Sequence, residues 1–336
     1  MDNVQAYADS VLENFFSEYD PTGITTTLEP VSGYFTSKVY RFRVYDHGTL
    51  LKAYFIKESG NRSRQNLNRF IAREYENTRL IHERFESTDS LATANALGYS
   101  PEHDAFLIEE ARGDRLDRLL LRRELVARNP DYVHRLLDLA VEWLRRFQKI
   151  EYPEAGKERD FPSIELGKLE FLKSRLLMNA PRRHKPRFEE TFSAMERFLA
   201  TADIDSRSIV IKHNDFAPWN IICDGNRITI LDFADCSIDH PDYDLQYFAN
   251  ALDKIARKRP HLRPRLREYQ ARLLANCVAS EGMQGYYRTY FILQDIEFVL
   301  REIRARGLSG LKYRLFYRLL LTRLDKLDFV ASSRAD

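Results

Sequence analysis

Along the first twenty residues the apolar positions Val4, Ala8, Val11, Leu12, Phe15 and Phe16 recur at helical spacing, which predicts an opening helix. Asp2 or Asn3 is placed to cap it, and Pro21-Thr22-Gly23 to end it. The period then changes. Thr25 to Leu28 is rich in β-branched residues, and Pro30-Val31-Ser32-Gly33 predicts a turn. Val39 to Val44 alternates apolar and polar, Asp46-His47-Gly48 turns, and Leu50 to Lys57 alternates again. Helical spacing returns between Leu67 and Phe85, carried by Phe70, Ile71, Tyr75, Leu80 and Ile81, after a polar loop from Glu58 to Gln65. Gly98-Tyr99-Ser100-Pro101 predicts a turn ahead of a short strand, Ala105 to Ile108.

Past residue 130 the pattern is mostly helical. Tyr132, Val133, Leu136, Leu137, Ala140, Trp143, Leu144 and Phe147 form one apolar stripe, with Pro153 as its stop. Ile164 to Met178 and Phe188 to Phe198 predict two more helices. Between them, Pro181 to Pro186 is basic but carries no aromatic residue for stacking bases, so it reads as a solvated loop rather than a nucleic-acid site. Residues 246 to 330 are helical again, with Tyr286, Tyr287, Tyr290, Phe291, Gln294, Asp295 and Phe298 in one helix.

One stretch breaks this helical half: IVIKHNDFAPWNIICDGNRITILDFAD, from Ile209 to Asp235. An apolar run, Ile209 to Ile211, leads into the polar cluster His213-Asn214-Asp215 and then Pro218-Trp219-Asn220. Two β-rich runs follow, Ile221 to Cys223 and Arg227 to Leu231, with Asp224-Gly225 between them as the turn where φ must be positive. A hairpin therefore carries Asp215 and Asn220 before its first strand and Asp232 just after its second. Phosphoryl transfer needs such a set: hard oxygen ligands for Mg²⁺, and a carboxylate to take the acceptor hydroxyl's proton.

The spelling His-x-Asp-x-x-x-x-Asn, followed twelve residues later by Asp232 in an apolar-Asp-Phe context, resembles the protein-kinase-like superfamily, and HNDFAPWN…ILDFAD resembles its aminoglycoside phosphotransferase and choline kinase branch. Protein kinases carry a Lys two residues after the Asp, where this chain has Ala217. The resemblance implies an α+β, bilobal protein-kinase-like fold. It would have a small antiparallel-sheet N-lobe with one key helix over residues 1–110 and a larger, mainly helical C-lobe over 111–336 carrying the catalytic hairpin. It implies ATP and Mg²⁺ as cofactors, with Asp215 as catalytic base and Asn220 and Asp232 as metal ligands. Lys57, after Ala53-Tyr54-Phe55-Ile56, matches the strand lysine that holds nucleotide phosphates; Lys52, on the opposite face, is the alternative. Glu74 in AREYENTRLI matches the helix carboxylate paired with that lysine, with Glu76 as fallback. SGYFTSKVYRF resembles the nucleotide-covering loop, placing Gly33 and Ser37 near phosphate oxygens, and Glu109-Glu110-Ala111-Arg112-Gly113 resembles the hinge, with the carbonyl of Glu109 and the N–H of Ala111 meeting adenine. Asp244, in Tyr243-Asp244-Leu245, matches the Asp that supports the catalytic loop. His213 reads as structural, and the Trp219 indole as stacking in the acceptor site or simply packing.

Composition narrows the acceptor. The 336 residues suit two domains or one large bilobal one, and 52 Lys and Arg against 50 Asp and Glu leave no global field favouring nucleic acid or a membrane surface. Three scattered cysteines, no secretory signal and no apolar run of spanning length suit a reducing cytoplasm. From Arg257 to Arg323, fifteen Arg or Lys face five Asp or Glu. A pocket for polycations wants acidic lining, so the excess disfavours an aminoglycoside and permits a neutral or anionic acceptor, such as a sugar or sugar derivative. Two other readings stay open: a protein kinase of the same fold, against which stands the absence of a long activation segment and of Ala-Pro-Glu, and a non-catalytic pseudokinase scaffold.

Overall fold

The computed structural model describes residues 2–16, 22–33, 37–59, 65–122, 129–152, 161–202, 209–278, 281–306 and 311–325. The chain divides into two compact units, one of Met1–Ile150 with His213–Cys236, the other of Glu151–Lys212 with Ser237–Asp336. The lobe boundary expected at residues 110 and 111 falls inside the first unit.

The first unit starts with helix α1 (Asp2–Phe15) and strands β1 (Ile24–Gly33), β2 (Ser37–Asp46) and β3 (Thr49–Ser59), followed by α2 (Gln65–Arg84). After β4 (Leu91–Thr93), β5 (Ala96–Ser100) and β6 (Ala105–Glu109) complete an antiparallel sheet in the order β1-β2-β3-β6-β5. Alternation along β2 and β3 turns Tyr40, Phe42, Val44, Tyr54 and Ile56 to one face, where they pack on Val4, Tyr7, Ala8 and Val11 of α1. Lys57 has the opposite parity and shares the α2 side with Phe106, its partner across β6.

Two turns read from the sequence are strand instead. Pro30 to Gly33 continues β1 past a register shift between Pro30 and Ser32, which is tolerated because β1 is an edge strand with a neighbour on one side only. Gly98 to Ser100 belongs to β5, and the chain reverses at Pro101–Asp104. Tyr34 to Thr36 of the segment expected to cover the nucleotide, Pro21 and Pro153 lie outside the described residues.

The rest of this unit is β7 (Asp114–Arg115), α3 (Leu116–Leu121), α4 (Pro130–Phe147) and the hairpin β9 (Ile221–Asp224) and β10 (Arg227–Ile230). The hairpin lies in a second sheet of order β4-β10-β9-β7, in which β4 runs parallel to β10. Its turn centres on Gly225-Asn226, one residue later than Asp224-Gly225, with only Gly225 (φ +58°) left-handed. Gly113 is required where β7 meets β9: its φ is +115°, and a Cβ there would lie 2.1 Å from the Cys223 carbonyl oxygen.

The second unit consists of α5 (Phe161–Asn179), α6 (Lys185–Thr201), α7 (Tyr243–Lys258), α8 (Arg263–Leu274), α9 (Glu281–Arg306) and α10 (Leu311–Leu324), with β8 (Val210–Lys212) paired to β11 (Ser237–Asp239). The basic segment is not wholly loop: Arg182–His184 is a 3₁₀ turn, and Pro186 sits in the first turn of α6, where a missing N–H costs nothing. The core is a Tyr- and Phe-rich cluster around Phe188, Phe192, Tyr286, Tyr287 and Phe291, so packing wins for most of the C-terminal aromatics.

A closed charge network crosses that core. Asp239, fully buried, accepts hydrogen bonds from Lys212 (2.6 Å) and Lys168. Lys168 also donates to Glu165, which accepts from the Tyr286 hydroxyl at 2.7 Å. Burial alone would raise the Asp239 carboxyl, but Lys212 and Lys168 hold it well below the usual carboxylate range. Replacing Asp239 with Asn strands buried ammonium charge, so Asp239→Asn should cost about 3–5 kcal/mol in urea unfolding near neutral pH. Because the folded pKa is depressed, Asp239's contribution is present above the ordinary carboxylate value and lost as pH falls through the folded one. The gap between variant and parent should therefore narrow below about pH 4. A gap that stays constant or widens on acidification contradicts this.

Candidate active site

On α2 the buried stripe Ile71, Glu74, Thr78 and Ile81 includes a carboxylate at a position that should be apolar. Glu74 is 1% exposed, and its Oε1 accepts a 2.6 Å hydrogen bond from Lys57 Nζ. The same ammonium reaches Asp232 Oδ1 at 3.3 Å, so one cation from β3 ties a helix carboxylate to the residue after the hairpin. Lys52 is half-exposed and stands 3.6 Å from Glu109. Glu76, the fallback, has no such partner described.

Burial opposes the charge on Lys57, but Glu74 and Asp232 outweigh it and hold its pKa up at about 12. Burial pushes the Glu74 carboxyl up to about 8 against the pull of Lys57. For Asp232 burial also favours the neutral form, yet Lys57 wins and keeps the carboxyl below its usual range. The cleft thus holds an ionised lysine beside an ionised aspartate at neutral pH.

The segments that carry Asp215 and Asp232 are anchored by aromatic plugs. Phe216 follows Asp215 and Phe233 follows Asp232; both are fully buried and stack against Trp143 of α4 at 5.8 and 6.1 Å. His213 bridges the two segments. Its Nε2 lies 2.9 Å from the Leu231 carbonyl oxygen, which can only accept, so Nε2 carries the proton and Nδ1 accepts from the Asp215 N–H at 3.3 Å. The structural reading of His213 is the one this geometry supports. Leu231 N–H in turn donates to the Asn220 carbonyl at 2.9 Å. Asn214 (φ +71°) and Asp232 (φ +68°) are left-handed, a conformation that Asn and Asp enter more readily than other non-glycine residues. Asn214, as an asparagine, keeps that turn accessible.

Asn220 Nδ2 donates to the Asp215 carboxylate at 2.8 Å and to its backbone carbonyl at 2.9 Å. Trp219 Nε1 donates to the same Oδ2 at 3.3 Å. The indole therefore orients the carboxylate, a role that neither stacking nor simple packing anticipates. Trp219→Phe keeps the ring and deletes the donor. It should lower kcat by about three- to tenfold, the worth of one modest hydrogen bond, and leave nucleotide affinity unchanged. Steady-state kinetics beside a direct nucleotide titration checks this, and an unaltered kcat removes the role.

Asp215, Asp232, Lys57 and Ser37 line one cavity of about 270 Å³, together with Phe70, Val39, Ala234 and Asp235. Gly33 ends β1, on the far side of residues 34–36 from Ser37. Glu109 closes β6 with its N–H donated to the Asn95 carbonyl, and Ala111 follows in the linker. Asp244, fully buried, lies in the first turn of α7 in the second unit. Sequence reading missed the clamp from α2: Arg73 donates to the Ala234 carbonyl (3.1 Å) and the Asp235 carboxylate (3.0 Å), and Asn77 to the Phe233 carbonyl (3.0 Å). The available signal was their i, i+4 spacing beside Glu74.

Among the described residues no group of three or more His, Cys, Asp or Glu is arranged to hold a metal by itself. Mg²⁺ does not need one, because it takes one or two protein oxygens and completes its shell with phosphate and water. The donors fit that habit: the ionised Asp232 carboxylate, and the Oδ1 of Asn220, whose Nδ2 is committed to Asp215.

Residues 97–286 match the model of a phosphotransferase enzyme family. No curated protein matches the chain. Among solved structures, a choline/ethanolamine kinase family protein from Mesorhizobium loti is 14% identical with a TM-score of 0.59, covering 99% of this chain and 100% of that one. A choline kinase from Cryptosporidium parvum is 11% identical (TM-score 0.60, 96% of each chain). The GDP complex of aminoglycoside 2′-phosphotransferase-IIIa is 13% identical (TM-score 0.57, 98% of this chain and 99% of that one). At these identities the likeness speaks for the fold: mixed α+β, with an antiparallel N-terminal sheet and a mostly helical C-terminal part.

Proposed function

The chain belongs to the phosphotransferase enzyme family whose model spans more than half of it, and we propose that it moves the γ-phosphoryl group of ATP or GTP to a hydroxyl of a small neutral or anionic acceptor, a sugar or sugar derivative. The observation that carries this reading is Lys57 bridging Glu74 and Asp232 in the cavity that Asp215 also lines. Lys57 neutralises phosphate charge while Glu74 holds the ammonium in place. Ser37 lines the cavity from the start of β2, beside the loop that would cover the nucleotide. Asp215, oriented by Asn220 and Trp219, positions the acceptor hydroxyl and takes its proton as the bond to phosphorus forms. Asn220 and Asp232 would hold Mg²⁺, which when bound supplies charge neutralisation across the transferred phosphates. Catalysis is then mainly positioning and electrostatics, and no covalent enzyme intermediate is required.

The choice of acceptor class rests on the basic excess of the C-terminal helices. No described helix is long and apolar enough to cross a membrane. The test is release of nucleoside diphosphate from ATP or GTP with Mg²⁺ over a panel of sugars, sugar acids, amino alcohols, aminoglycosides and unstructured protein. Acceleration by a hydroxylated neutral or anionic small molecule, with the phosphorylated product seen by mass spectrometry, is expected. Transfer to protein alone favours the protein-kinase reading, and no acceptor-dependent release favours the scaffold.

A further inference from the structure

The second unit contains a cavity of about 360 Å³ between α7, α8, α9 and α10. Four of its lining side chains are arginines from three helices: Arg263 and Arg267 of α8, Arg288 of α9 and Arg323 of α10. Its one carboxylate, Asp253, is already engaged by Arg323 and by Arg257 at 3.2 Å. The acid on α8 is directed elsewhere, since Glu268 pairs with Arg265 at 2.8 Å. Among the described residues, Arg263, Arg267 and Arg288 form no ion pair. Arg263 and Arg267 stand four residues apart, so they share a face of α8 and repel. Solvent-facing arginines are common, but a helix normally spreads like charges. Here they gather at a concavity whose remaining polar lining is three amides, Gln246, Asn250 and Gln270.

We propose that this cavity binds a small phosphomonoester of a polyhydroxylated molecule. Guanidinium groups present paired N–H donors that match phosphate oxygens, and several converging on one space recognise a dianion better than a monoanion. Carboxamides donate and accept, so they suit the hydroxyls of the ligand body. The volume is within the range of small-molecule sites and accommodates a ligand of hexose-phosphate size. The inference does not rest on phosphoryl transfer, because the residues come wholly from the second unit and include none assigned to the nucleotide cleft.

The test is calorimetric titration of the full chain with glucose 6-phosphate, inorganic phosphate, citrate and glucose. It is repeated on the double variant Arg267→Ser/Arg288→Ser, both residues being exposed, and on Lys57→Met. Glucose 6-phosphate should bind with a Kd tighter than about 1 mM and glucose should not. The arginine variant should weaken the sugar phosphate at least tenfold while its unfolding transition and nucleotide affinity stay as in the parent, and Lys57→Met should leave sugar-phosphate binding intact. Equal binding by the arginine variant, loss of binding in Lys57→Met instead, or no binding by any anion overturns the proposal. Citrate binding as tightly as the sugar phosphate overturns the phosphomonoester assignment.

Discussion

Asp215→Asn should lower kcat by about 10²–10⁴-fold and leave the dissociation constant for magnesium nucleotide within a factor of two or so of the parent. The two carboxylate oxygens set this expectation. Oδ2 receives Asn220 and Trp219, so an amide placed there keeps the size of the group and can turn its oxygen to those donors, but its other position is then an NH₂, which donates and does not accept. No proton can then be accepted from the hydroxyl. Nucleotide phosphates depend on Lys57 and Asp232, which the substitution does not touch. Retention of full turnover with a genuine acceptor would remove Asp215 from the role of base. A collapse of nucleotide binding would show instead that Asp215 holds the metal.

The second large effect is expected at Asp232. Asp232→Asn removes the anion that Lys57 bridges to Glu74, while the 2.6 Å Lys57–Glu74 contact and the Phe233 plug remain, so the fold should hold. Magnesium-dependent affinity for nucleotide should fall by on the order of 100-fold, about 2.7 kcal/mol, because a charged oxygen ligand becomes a neutral one. Affinity measured in EDTA should change little. In the parent, Lys57 keeps the Asp232 carboxyl below its usual range, so Asp232 itself remains an ionised ligand as pH falls from 8 to about 5. Any decline in metal-dependent binding across that range is then set by Glu74, whose carboxyl burial pushes up to about 8, or by the terminal phosphate of the nucleotide.

The loop between His213 and Asp235 was legible because its chemistry is local. Asp215, Asn220 and Asp232 are brought together by one hairpin whose turn, strands and breaks are spelled within 23 residues. Glu74 was reached through the likeness of AREYENTRLI to a family helix rather than through periodicity, and the structure places it buried between Ile71 and Ile81. Lys57 and Lys52 could be assigned to opposite faces from strand parity, but which face α2 covers depends on pairing between β3 and β6, some fifty residues apart. The clamp from Arg73 and Asn77 was illegible: those side chains bond to main-chain carbonyls about 160 positions away, and a carbonyl has no sequence signature. Trp219 failed differently. Its ring announces burial or stacking, whereas the consequential atom is the single indole N–H. Pro30 marks a turn in most contexts, yet at the edge of a sheet its missing donor is harmless. The arginine excess among the C-terminal helices was plain, but its convergence on one cavity depends on how four helices pack.

Thermal unfolding of the full chain with nucleotide, with and without divalent cation, addresses the centre of the account most directly. If Lys57, Asn220 and Asp232 serve one magnesium nucleotide, ADP or GDP with Mg²⁺ should raise the midpoint by several degrees at a hundredfold excess over Kd, where binding adds about 2.7 kcal/mol. The same nucleotide in EDTA should raise it far less. A midpoint unmoved by either nucleotide, or moved equally in EDTA, would contradict a metal-assisted phosphotransferase site in this cleft.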